Sequence, residues 1–78
     1  MSYSYEELIQ DLSIGLEIHF TYSGDKYSIS NNAEGIYLTK YSEWERHQAF
    51  KNWRELLELA TVDGKSIREI WDMVSDVS

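Results

Sequence analysis

Between Gly15 and Tyr41 the chain reads GLEIHFTYSGDKYSISNNAEGIYLTKY, two turn signals separating three stretches of strand-forming residues. Leu16, Ile18, Phe20 and Tyr22 alternate with Glu17, His19 and Thr21, the period-two pattern of a strand with one face buried and one wet. A meander of three antiparallel strands follows, and helices elsewhere in the chain must cover its apolar face.

The first turn falls at Ser23-Gly24-Asp25-Lys26. With Gly24 and Asp25 as the two loop residues of a type II′ turn, Ser23 pairs with Lys26, Tyr22 with Tyr27, Phe20 with Ile29 and His19 with Ser30. The second turn, Asn31 to Gly35, admits two registers. A loop from Asn32 to Gly35 pairs Ile29 with Leu38 and sends Ile36 and Leu38 inward; a three-residue loop with Gly35 in a bulge sends Tyr37 and Tyr41 inward instead. The first is preferred.

Around the meander, three short helices are predicted. Ser4 and Glu7 have capping-box spacing, and Tyr5, Leu8, Ile9 and Leu12 share one face of a helix over 4–12 that Gly15 stops. A second helix is expected from Trp53 to about Thr61, with Trp53, Leu56, Leu57 and Ala60 inward. In the third, Ser66 and Glu69 form another capping box, and Ile67, Ile70, Trp71 and Val74 repeat at helical spacing. Residues 42–51 keep no single stripe and read as an irregular or partly extended stretch anchored by Phe50. The fold class is therefore α+β in a single domain over residues 1–78, in the order αβββαα, with the helices on one sheet face.

At 78 residues a single core gives little net stability, and with no cysteine there is no disulfide to add to it. Eleven aromatic residues (three Trp, six Tyr, two Phe) supply the burial instead. The absence of cysteine suits a reducing, cytoplasmic setting, and neither a signal peptide nor a membrane span is read from the sequence. A net charge of −7 disfavours direct binding to nucleic-acid phosphates.

No cofactor signature is found. Each glycine has a turn or cap role, and Asp63-Gly64-Lys65-Ser66 lacks the upstream glycine of a phosphate loop. Acid–base chemistry would have to begin at His19 or His47. Glu17 and His19 share the wet strand face with Ser30, which makes a small hydrolase or metal-dependent site one alternative, although two ligands do not complete a metal site. Helix carboxylates such as Glu6, Glu7, Glu55, Glu58 and Asp72 could dock on a basic partner, and i,i+4 pairs such as Arg68 with Asp72 are the plainer explanation.

LEIHFTYSGDKYSI, the Gly35-Ile36-Tyr37 strand and LLELATVDGKSIREIWDMV together resemble a group of small acidic uncharacterised proteins of Gram-positive bacteria and their phages. The similarity covers about residues 8–77, and its most specific part is Asp63 to Ser66 followed by Glu69-Ile70-Trp71. It implies one α+β domain and no particular activity. The expectation is a non-enzymatic module that binds another protein, for example as a phage or mobile-element inhibitor of a host defence protein or toxin. Glu17, His19, Thr21, Ser28, Ser30 and Trp44 are the candidate contact residues, and a homodimer is the structural alternative.

Overall fold

The computed structural model describes residues 4–43 and 45–77. Helix α1 (Tyr5–Ser13) starts at Ser4, whose hydroxyl accepts from the Glu7 N–H while the Glu7 carboxylate receives the Ser4 N–H. It ends in a Schellman motif: Gly15 N–H bonds Leu12 O at 3.1 Å and Leu16 N–H bonds Asp11 O at 3.0 Å, with Gly15 at φ +85°. Leu8 and Leu12 are its buried residues.

Strands β1 (Ile18–Tyr22), β2 (Asp25–Asn32) and β3 (Gly35–Lys40) form the expected meander, and β4 (Gln48–Phe50) adds antiparallel to β3, so the sheet has four strands in the order β1-β2-β3-β4. The sheet thus has one strand more than the three-stranded meander expected from the sequence. The extended part of residues 42–51 became a strand because β3 offered it a free edge, which a local reading of the sequence does not show. A 3₁₀ turn at Tyr41–Glu43 leads into it.

The first hairpin also differs in register. Its loop is Ser23-Gly24, both at positive φ (+52° and +84°), a type I′ geometry; Tyr22 pairs with Asp25, Phe20 with Tyr27, and His19 with Ser28 rather than Ser30. The shift is of two residues along the partner strand, which preserves every side chain's face. In the second hairpin Ile29 pairs with Leu38 as preferred, and pairing continues to Asn32 and Gly35, leaving only Ala33 and Glu34 in the loop. There the Asn32 side-chain oxygen accepts from the Glu34 and Gly35 N–H groups, an Asx turn in which Ala33 and Glu34 both keep negative φ.

Helix α2 (Trp53–Leu59) starts at Asn52, whose side chain accepts from Glu55 N–H. A two-stranded hairpin, β5 (Thr61–Val62) with β6 (Lys65–Ser66), turns at Asp63-Gly64. Helix α3 (Ile67–Ile70) carries the expected Ser66–Glu69 box but yields after one turn to a 3₁₀ turn, Trp71–Met73. Val74 is then extended, and Ser75 forms a two-bond bridge to Thr21 on the outer edge of β1, with N···O distances of 2.8 Å both ways. The observed order is αββββαββα.

The buried side chains among the described residues fall in one cluster. Ile18, Phe20, Tyr22, Tyr27, Ile29, Ile36 and Leu38 come from the inner sheet face, and Leu8, Leu12, Leu56, Ala60, Ile67, Ile70 and Trp71 from the layer above it. Trp53, Leu57, Phe50 and Val74 pack half-buried at its margin. Beside it, the Gln48 side-chain amide donates to Thr61 O (2.7 Å) and accepts from Thr61 N–H (3.0 Å), tying β4 to the end of α2 as a strand neighbour would.

Two outcomes follow from these contacts. A Cβ at Gly35 would overlap the Phe50 carbonyl oxygen, which belongs to the backbone and cannot swing away. Gly35→Ala is therefore expected to cost about 1–3 kcal/mol and to lower the melting temperature by roughly 5–20 °C. An unchanged melting curve would mean that β3 and β4 do not approach closely at that point. The Glu69 carboxyl is held below the ordinary glutamate range, first by the Ser66 N–H (3.0 Å) and then by its hydroxyl. Because the unfolded chain takes up that proton first, the contribution is whole above the ordinary glutamate value and is lost as pH falls through the lower folded value. Denaturation of Glu69→Gln across the acid range should show a shallower decline than the parent; parallel curves would contradict this.

Candidate functional site

Because the inner sheet face is filled by core, the other face is what the fold leaves over. Period-two alternation puts His19 and Thr21 of β1, Ser28 and Ser30 of β2, and Tyr37 and Thr39 of β3 on it, all partly exposed. Glu17, just before β1, is exposed beside them. Of the six residues singled out from the sequence, five thus share one face; Trp44 lies outside the described residues. His19 faces Ser28, Ser28 faces Thr39 across β2, and Ser30 faces Tyr37.

His19 is the best-held side chain there. Its Nε2 lies 3.1 Å from Glu17 Oε1 and its Nδ1 2.7 Å from the Tyr41 hydroxyl. A carboxylate only accepts, so Nε2 carries the proton, and Nδ1 of the neutral ring accepts from the Tyr41 O–H. Tyr41 sits in the 3₁₀ turn after β3, and its ring reaches across β2 to meet the imidazole edge-on, centroids 6.2 Å apart. Further along, Tyr37 and His47 make a second edge-on pair at 5.3 Å. Both histidines therefore stand against a tyrosine. The signal for Tyr37 and Tyr41 was present in the sequence: once Ile36 and Leu38 point inward, their odd-numbered neighbours point out.

Between β1 and the Tyr41 turn an open groove of about 360 Å³ is lined by His19, Thr21, Lys26, Tyr41 and Asp76. At the neighbouring turn Lys40 reaches Asp25 at 3.4 Å, and its ammonium is held above its ordinary value first by the adjacent Tyr27 and then by Asp25. Burial raises the Tyr27 phenol in turn.

These distances bear on each chemical role. In the neutral ring both nitrogens of His19 are engaged, Nδ1 by Tyr41 and Nε2–H by Glu17, and the serine that faces it in register is Ser28 rather than Ser30. Among the described residues no group of three or more His, Cys, Asp or Glu side chains converges as metal ligands. No helix among them is long and apolar enough to cross a membrane. What the face can do is present a grooved, hydrogen-bonding surface with aromatic edges held in place. Arg68, on the helix layer, lies over the Tyr5 ring at 5.9 Å. Comparison of the chain with known protein families, curated proteins and solved structures finds no match.

The tautomer assignment can be checked directly. In ¹⁵N-resolved spectra at a pH where His19 is neutral, the Nε2–H form should dominate, and Glu17→Ala should let the Nδ1–H form appear while Tyr41→Phe should not. A dominant Nδ1–H form in the parent protein would reverse the hydrogen-bond directions given above.

Proposed function

We propose that the chain is a non-enzymatic protein-binding module whose contact surface is the open sheet face around His19 and Tyr41. The observation that carries this reading is the Glu17–His19–Tyr41 chain of hydrogen bonds, 3.1 and 2.7 Å long, spanning the width of three strands on a face that no described element covers. A surface whose side chains are already ordered loses less conformational freedom when a partner arrives, and tyrosines are favoured anchors in such contacts. Thr21, Ser28 and Ser30 add short hydroxyls that donate or accept without steric demand. With fourteen acidic residues against seven Lys and Arg, the partner is a protein rather than a nucleic acid.

The biological setting that fits a small acidic binder of this kind is a phage or mobile element, where it would occupy and inhibit a host defence protein or toxin. Such a protein acts by covering a surface, so it needs no reaction centre of its own.

Affinity capture from host cytosol, compared between the parent and His19→Ala/Tyr41→Ala, tests the reading. Both positions are surface positions, so circular dichroism should be unchanged while recovery of one specific partner falls at least about tenfold. Recovery that is the same with both baits, or the absence of any specific partner, would remove its support.

A further inference from the structure

The two edges of the four-stranded sheet are treated differently. On the outer edge of β1 the N–H and C=O of Thr21 are both taken by Ser75 in a two-bond bridge. Through its backbone, strand β4 pairs with β3 alone among the described residues, so alternate N–H and C=O groups along Gln48–Phe50 face away from the sheet. His47, Ala49 and Lys51 are exposed along it.

Charge is also distributed unevenly. Residues 46–54, RHQAFKNWR, contain three of the seven Lys and Arg, one histidine, and none of the fourteen acidic residues. Arg46, Lys51 and Arg54 are all exposed, the last lying over the Trp53 ring at 5.1 Å. The β4 edge of the four-stranded sheet therefore coincides with a cationic segment on a chain of net charge −7.

We infer that the outer edge of β4 receives an extended acidic peptide segment of another protein, which adds to the sheet as a fifth strand. Backbone pairing along Gln48–Phe50 supplies the geometry, and Arg46 and Lys51, at either end of the strand, select carboxylate side chains. Charge argues against a second copy of this chain in the same place. Antiparallel self-pairing centred on Ala49 sets Lys51 opposite the partner copy's His47 and Arg46 opposite its Asn52, so neither cation would meet a carboxylate. The inference rests on the protein-binding reading and adds to it the edge used and the chemistry of what docks there.

A fluorescein-labelled peptide of alternating Glu and Val is the probe, read by anisotropy and by amide chemical shifts of the full chain. Saturable binding is expected, weakened by salt, with shifts concentrated at residues 46–51 and in β3. Arg46→Glu/Lys51→Glu should reduce the affinity at least about tenfold with its melting curve retained. A Lys/Val peptide, and a Glu/Val peptide with alternate amides N-methylated, should not bind. The inference is overturned by no saturable binding, by undiminished binding to the charge-reversed variant, by shifts centred on Glu17 and His19, or by self-association through β4 in sedimentation without peptide. A failure here beside partner loss in His19→Ala/Tyr41→Ala would leave the face reading standing; peptide binding at β4 with no such loss would do the reverse.

Discussion

Phe20 is the point at which the two halves of the chain are held together. It is 1% exposed, stacks on Tyr27 of the neighbouring strand at 5.3 Å, and meets Trp71 edge-on at 5.3 Å. The first contact closes the hairpin and the second fastens the C-terminal helix layer to it, so a single ring belongs to both the sheet and its cover. Everything on the far side inherits its position from this packing. His19 and Thr21 point outward because Phe20, between them, points in.

Much of this arrangement was legible in the residues, for a reason that also explains the errors. Strand parity depends only on alternation, so Ile18, Phe20, Tyr22, Tyr27 and Ile29 were placed on the buried face even though the Ser23-Gly24 turn moved their pairing by two residues. Caps are equally local, and Ser4 and Ser66 each accept the hydrogen bond their spacing announces. Strand β4 is different. Three residues carry too short an alternation to stand out, and what makes them a strand is the vacant edge of β3. Helix α3 likewise stops before Val74 completes its stripe because Ser75 is engaged at Thr21, a contact with the opposite end of the chain. The site shows the same division: Glu17 and His19 are two residues apart and were found together, whereas Tyr41 reaches His19 from 22 residues away.

Gln48 shows how a small domain secures an element that local sequence does not. Its pairing with Leu38 gives β4 one set of contacts, and its side-chain amide gives another by meeting both the N–H and the C=O of Thr61. A primary amide has the donor and acceptor of a peptide group, so it substitutes for a neighbouring strand at a place where α2 has just ended. The inner side of β4 is fastened in this way while its exposed side stays available.

The bridge from Ser75 to Thr21 has a consequence for assembly. A sheet with two open edges can pass strands from molecule to molecule in a head-to-tail chain without limit. Here the C-terminal segment takes both backbone groups of Thr21 on the β1 edge, so a strand adding there would first have to displace Ser75, and the two edges of the sheet are not equivalent.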